Sequence, residues 1–369
     1  MTNLISYSIQ ALLLSSLLII FCLKKRSLDG YLLAVIVIWT ASVIGIYWHY
    51  RSDQILFYSN DQLSAWRFIY QYIPAEGIPL RFNELINWRY IVILPAYFLT
   101  KIGLDGVLVL KFEQLVYLVL IYQTAKRFLR DLEISLKWWH VILFCGPLSI
   151  FMSTLALRDL SLSYFALLFL VESRPQLKFL GFIGTVLLRP HLAIALVFGW
   201  TIAYFLRNLK RGNFVLGITV VSLLAYVLGA YSYLTVISLR NDASLGSDNA
   251  IWTQLQFSRL AANILGIQFL TFNDAVVSAS VTYLFVSRIV FMDTFLAPIL
   301  FIGCLFRFSN TWNRLNITVF TAFVFFYGLV SQTSWNSSRQ NIPFLISMGL
   351  LAVVGIESRR KTKTAEIFN

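Results

Sequence analysis

The chain has 369 residues, of which 58% are hydrophobic and only 13% charged, with a mean hydropathy of +0.73. This composition excludes an ordinary soluble domain, which needs a polar shell, and its apolar stretches of roughly 17–23 residues suit a bilayer core of about 30 Å. The net charge of +13 is explained by basic cytoplasmic loops, so nucleic acid is not an expected partner.

Apolar segments predict a membrane helix bundle with the class all-α and a single integral membrane domain, 1–369. The predicted spans are 4–23, 31–49, 90–101, 106–123, 138–156, 160–172, 179–189, 191–206, 214–236, 289–306, 315–331 and 342–356. Two long polar segments, 50–89 and 237–288, interrupt them as predicted external loops.

Basic clusters between the spans predict the orientation of the chain. They place the C-terminus in the cytoplasm, and the N-terminus, with no basic residue before Lys24, outside. Opposite locations for the two termini require an odd number of crossings. We therefore expect one of the segments 90–101 and 106–123 to be re-entrant or interfacial, which leaves about 11 transmembrane helices.

The sequence contains no pattern typical of a metal or nucleotide site. The three cysteines lie in apolar stretches without a CxxC pair, and neither a Walker loop nor an HExxH motif occurs. We expect no metal and no cofactor.

Basic residues on the predicted external side are almost all arginine, which the positive-inside rule does not explain. Arg158, Arg189 and Arg339 each stand where a span meets that face. Guanidinium groups bind phosphate oxygens bidentately and stay charged when partly desolvated, so the three predict an anion site. The alternative is structural: these arginines snorkel, or pair with a carboxylate, such as Arg158 with Asp159 or with Glu113.

Three groups near the same face are candidate catalytic residues. Asp61, in the first external loop, and Asp159 carry carboxylates that can act as general bases. His191 follows Arg189 and Pro190, where the proline predicts a helix break. The structural alternative for Asp61 is a capping residue at the start of an interfacial helix over about 62–73.

Four features of the sequence together resemble the Wzy/EpsG-type polymerases of bacterial surface polysaccharides. They are the first external loop with Asp61, the segments Arg158-Asp159 and Arg189-Pro190-His191 at the external ends of spans, and Arg339 before the last span. These enzymes are similar in plan to multispanning lipid-sugar glycosyltransferases of the GT-C class. The resemblance implies a GT-C-like bundle in the bacterial inner membrane with its active face outside.

The same resemblance implies the reaction and its partners. Oligosaccharide units linked to undecaprenyl pyrophosphate would be polymerised, with arginines holding the pyrophosphate leaving group and a carboxylate or His191 deprotonating the acceptor hydroxyl. A flippase and a chain-length regulator are the implied protein partners. The alternatives are a glycosyltransferase that uses a polyprenyl-phosphate sugar, a transporter of lipid-linked sugars, and a membrane O-acyltransferase.

Reporter fusions test the predicted topology. Fusions after Lys25, Arg130 and Lys361 are expected to report the cytoplasm, because each follows a basic cluster. Fusions near Asp61 and Asn336 are expected to report the exterior. Opposite locations for these last two would contradict a shared external site.

Overall fold

The computed structural model describes residues 4–50, 65–78, 88–206, 299–304, 313–330 and 341–368, with isolated positions at 216–227 and 296. These residues form helices and turns, and none of them lies in a strand. The longer helices follow the apolar stretches, because a helix satisfies its own backbone hydrogen bonds within one segment.

In chain order the described helices are α1 (Leu4–Lys24), α2 (Gly30–Tyr50), α3 (Ile73–Glu76, preceded by a π-helical turn, Phe68–Tyr72), α4 (Trp88–Thr100), α5 (Gly106–Asp131), α6 (Trp138–Cys145), α7 (Pro147–Ser153), α8 (Asp159–Val171), α9 (Pro175–Leu188), α10 (Pro190–Leu206), α11 (Arg314–Val330) and α12 (Ile342–Phe368).

Three of these helices are long and apolar enough to cross a membrane: α1, α2 over Gly30–Trp48, and α5. The apolar parts of α8 to α12 are shorter. The spans predicted at 214–236 and 289–306 lie largely outside the described residues, as does the loop 237–288. An all-helical fold with three helices long and apolar enough to cross a membrane is thus confirmed for the described part, whereas the count of about 11 stays a prediction.

Contacts between α1 and α5 show that these two helices run in the same direction. Near the start of both, Gln10 donates to the Gly103 carbonyl at 3.2 Å and accepts from the Asp105 N–H at 2.8 Å. Near their other ends, Lys126 pairs with Asp29 at 2.8 Å, and Asp29 directly precedes α2. The turn before α2 makes that helix antiparallel to both.

Further ion pairs lie at the end of the bundle where Lys126 meets Asp29, which we call the ion-pair end. Arg127 of α5 pairs with Glu172, which caps α8. Burial raises the pKa of Asp29, but hydrogen bonds from Lys126 and Tyr122 more than offset it, and the net shift is downward. Asp29 therefore stays ionised and connects the α1–α2 turn to α5.

A second group of ion pairs joins α12 to the start of α6 at the same end. The Lys137 ammonium lies 3.2 Å from Oε1 of Glu357, and Nε2 of His140 lies 3.1 Å from that oxygen. Nδ1 of His140 accepts the Lys137 backbone N–H at 3.2 Å, so the ring proton sits on Nε2 and is donated to Glu357. This contact sets the depth of α12 relative to α6.

The span predicted at 138–156 is not one helix but two. Pro147 lacks the N–H for a helical hydrogen bond, and Gly146 takes an extended conformation that ends α6 and starts α7. Trp39 of α2 donates its indole N–H to the Ser153 carbonyl at 2.8 Å. This bond gives a hydrogen-bond partner to a backbone carbonyl at the C-terminus of α7. The chain then turns into α8 within the bundle.

Two glycines allow close helix packing in the second half of the described chain. An added Cβ at Gly199 of α10 would lie 2.4 Å from the Thr318 carbonyl oxygen of α11. At Gly349 of α12 it would lie 1.8 Å from the Leu143 carbonyl oxygen of α6. Any larger residue must push these backbones apart.

Alanine at Gly349 is expected to lower the melting temperature of the detergent-purified protein strongly, because overpacking against a backbone carbonyl costs about 1–3 kcal/mol or more. Gly45 of α2 is the matched control, since nothing lies within 4 Å of an added Cβ there. Gly45→Ala is expected to be neutral or to stabilise by up to about 1 kcal/mol. Equal melting temperatures for the two variants would contradict the close α6–α12 contact.

Candidate functional site

A layer of buried polar side chains crosses the bundle at one depth, and we call it the polar layer. Its exposed fractions are 0% for Lys111, 1% for Gln114, 2% for Asp159, 6% for Asn341 and 8% for Arg189. Its members are these five residues and the partly buried Arg158. Ionisable groups buried inside a membrane helix bundle usually line a cavity or a substrate path, so a layer of this kind is a candidate site.

Helix lengths give the depth of this layer. At about 1.5 Å per residue, Lys111 lies about 24 Å from Arg127 of α5, Asp159 about 20 Å from Glu172 at the end of α8, and Asn341 about 24 Å from Glu357 of α12. The 26 residues of α5 span about 39 Å and continue beyond the layer. The polar layer is therefore recessed below the far end of α5.

Helices α8, α10 and α12 all begin at or beside the polar layer. Asp159 is the first residue of α8, Pro190 the first of α10, and Asn341 directly precedes α12. A helix N-terminus carries a partial positive charge and unsatisfied N–H groups. Three such ends at one depth, together with the arginines, favour an anion.

Arg158 connects the start of α8 to the end of α9. Its guanidinium donates a hydrogen bond to the Leu188 carbonyl oxygen at 2.7 Å. Leu188 is the last residue of α9 and directly precedes Arg189. The contact therefore brings the Arg158–Asp159 and Arg189–Pro190 segments together, although they are far apart in sequence.

Arg189 stands at a sharp corner between two helices. Its backbone is extended, with φ −157° and ψ 91°, as expected for a residue before proline. Its carbonyl accepts the N–H of Leu192 at 3.0 Å, and Pro190 opens α10. The break predicted at Pro190 is present, and it holds the Arg189 side chain inside the bundle instead of at its surface.

Helix α5 contributes two residues to the polar layer, Gln114 next to α8 and Lys111 next to α1. Gln114 accepts the Ser161 backbone N–H at 3.4 Å, a long contact with the first turn of α8. Lys111 donates to the Tyr7 hydroxyl at 3.4 Å, and the Tyr7 ring stacks on Tyr47 at 3.8 Å between centroids. The layer thus extends from α8 across α5 to α1 and α2.

The other site residues predicted from the sequence, His191, Asp61 and Arg339, are not members of the polar layer as the structure describes it. His191 is exposed in the first turn of α10, two residues from the buried Arg189. Asp61 and Arg339 lie outside the described residues. The helical segment 65–76 lies close to the interfacial helix expected over about 62–73. Of the predicted site residues, the described structure brings together Arg158, Asp159 and Arg189.

Sequence reasoning missed Lys111, Gln114 and Asn341 as site residues. A signal existed for the first two, because a lysine and a glutamine three residues apart share one face of an otherwise apolar helix. Asn341 had no such signal, since an asparagine before an apolar run is typical of an ordinary helix start.

The geometry suits binding of a multiply charged anion more than metal chemistry. Within the described ranges, His, Cys, Asp and Glu side chains form no group of three that could hold a metal ion. The polar layer combines fork-shaped and point-charge cations with helix N-termini, a combination that recognises phosphate.

Comparison with protein-family models, with curated proteins and with solved structures found no match to this chain.

Proposed function

We propose that this chain is a membrane glycosyltransferase that polymerises oligosaccharide units carried on undecaprenyl pyrophosphate at the external face of the bacterial inner membrane. The observation that carries the proposal is the meeting of Arg158 and Arg189 beside helix N-termini inside the bundle. The ion-pair end is then cytoplasmic, in agreement with the basic clusters near it.

Pyrophosphate is the leaving group in this reaction, and negative charge grows on it as the glycosidic bond breaks. Cations and oriented N–H groups that are fixed before the reaction stabilise that charge without reorganisation. Arg158 is held by the Leu188 carbonyl, which orients its planar fork. Arg189 follows on the same corner, and the sequence adds Arg339 as a third cation.

The acceptor hydroxyl needs a base as it attacks the donor sugar. Asp159 is buried among the cations of the layer, where its charge is favourable at the start of α8. His191 is exposed beside the layer and Asp61 belongs to the first external loop, so both suit an acceptor that arrives from outside. We assign the base to one of these three groups.

The depth of the layer supports a lipid-linked substrate. A soluble sugar nucleotide would find its site at the surface, whereas the pyrophosphate of a polyprenyl carrier stays near the membrane interface. A layer recessed below the far end of α5 allows the head group to enter from the side of the bundle while the lipid tail remains outside.

Deletion of the gene tests the proposal in the cell. Without a polymerase, single repeat units should accumulate on the lipid carrier or appear as single-unit caps on the surface polysaccharide. Gel electrophoresis of the polysaccharide measures this as loss of the chain-length ladder. A wild-type ladder in the deletion strain would exclude polymerisation, while loss of all surface sugar would favour transport.

Lysine in place of Arg158 or Arg189 tests the pyrophosphate site itself. Lysine keeps the charge but loses the planar fork, so we expect about 2–4 kcal/mol less transition-state stabilisation, roughly a 30- to 1000-fold lower rate of elongation. The matched control is Arg130→Lys at the ion-pair end, where the side chain is 79% exposed, and it should retain elongation. Western blots of membranes check expression.

Arginines that only anchor helices at an interface would accept lysine with little loss, because both side chains snorkel. Normal elongation in both variants at normal expression would therefore contradict the proposed role of Arg158 and Arg189.

A further inference from the structure

Two buried amide side chains in the polar layer each present a polar atom without a hydrogen-bond partner in the described structure. These atoms are Nε2 of Gln114, a donor, and Oδ1 of Asn341, an acceptor. The two side chains are 1% and 6% exposed. An unsatisfied buried amide is costly, and a native protein that keeps one usually does so for a purpose.

The contacts of Gln114 fix which of its atoms is unsatisfied. Its Oε1 accepts the backbone N–H of Ser161, and a backbone N–H can only donate. The other end of the amide must then be the NH₂ group. This donor belongs to the same amide group that contacts the first turn of α8.

Asn341 approaches the same region from α12. Its backbone carbonyl accepts the N–H groups of Phe344 and Leu345 at 2.9 and 3.0 Å, so the backbone of this residue starts the helix. The helix α12 packs against α8, and Glu172 at the end of α8 and Glu357 of α12 both lie at the ion-pair end. Counted along each helix from these ion pairs at about 1.5 Å per residue, the first turns of α8 and α12 lie at similar depths, close to that of Gln114.

We propose that Gln114 and Asn341 bind a neutral sugar group of the lipid-linked substrate, next to the pyrophosphate. Nε2 of Gln114 would donate to a sugar oxygen, and Oδ1 of Asn341 would accept from a sugar O–H or N–H. The inference rests on the proposed function, and it adds a subsite that recognises the first sugar.

Neutral groups suit this role because the cations of the layer already match the charge of the pyrophosphate. An acetamido group offers a carbonyl acceptor and an N–H donor, and a hydroxyl group offers both functions on one atom. A site with buried, unpaired amides discriminates against a ligand that lacks these groups, since such a ligand leaves them unsatisfied.

Thermal unfolding of the detergent-purified full chain, followed by tryptophan fluorescence, tests the subsite. The probes are methyl N-acetylglucosaminide, methyl glucoside and, separately, inorganic pyrophosphate. We expect a sugar-dependent rise in melting temperature for the native chain. A response to the first sugar alone identifies the acetamido group, and equal responses identify hydroxyl groups.

Asn341→Leu is the main variant, because the backbone carbonyl that starts α12 remains and an unsatisfied buried acceptor is removed. Its melting temperature without sugar should equal or exceed that of the native chain. Its apparent affinity for the sugar should fall about fivefold to tenfold, as expected for one lost hydrogen bond to a neutral group. Its response to pyrophosphate should be unchanged.

Gln114→Met provides a second test if Asn341→Leu does not fold, and Gln123→Met is its matched control. Gln123 lies on the same helix near the ion-pair end, where it donates to Ser27 at 3.1 Å. We expect Gln114→Met to weaken the sugar response about as much as Asn341→Leu does. Gln123→Met should leave the sugar response unchanged.

The outcomes separate this inference from the proposed function. Absence of a sugar response in the native chain, or a native sugar response in folded Asn341→Leu and Gln114→Met, would overturn the subsite, because the amides would then serve only water or structure. The proposed function is tested separately: loss of the pyrophosphate response in Arg158→Lys would support it, and a normal ladder in the deletion strain would contradict it.

Discussion

Backbone groups at helix ends need partners wherever water is excluded, and this requirement shapes the polar layer. Helices α8 and α9 are too short to carry both of their ends out of the bundle, so the start of one and the end of the other lie inside it. Arg158 satisfies the Leu188 carbonyl, and Gln114 accepts the Ser161 N–H. The partners that make short helices tolerable at this depth are the same groups that can bind a ligand.

The ion-pair end supplies the reference from which the depth of the layer follows. Asp29 holds the α1–α2 turn against α5, Glu172 joins α8 to α5, and Glu357 joins α12 to α6. With Glu172 and Glu357 held at this end, the number of residues between each ion pair and the start of its helix decides how deep that start lies. Helices α8 and α12 therefore begin about 20–24 Å from these ion pairs, while α5 continues past that depth.

The ion-pair end and the polar layer differ in their balance of charge. At the ion-pair end the cations Lys126, Arg127 and Lys137 are partly exposed, and each is neutralised by a carboxylate in a defined pair. In the polar layer the described cations, Lys111, Arg158 and Arg189, outnumber the carboxylates at that depth, Asp159 and Glu113, and helix N-termini add to the positive side. An excess of fixed positive charge away from bulk water is suited to an anion such as pyrophosphate.

Hydropathy along the chain determined where most described helices run, and Pro190 marked the α9–α10 corner, because both depend on residues close in sequence. The break at Pro147 is equally local, but it is hidden within a long apolar run that predicts one continuous helix. Only the tertiary structure decided that Arg158 contacts the end of α9. The same holds for the placing of Lys111, Gln114 and Asn341 at the depth of Arg158. A hydropathy pattern gives the length of each helix, but relative depth is set by contacts such as Lys126–Asp29 and Lys137–Glu357, which join residues distant in sequence.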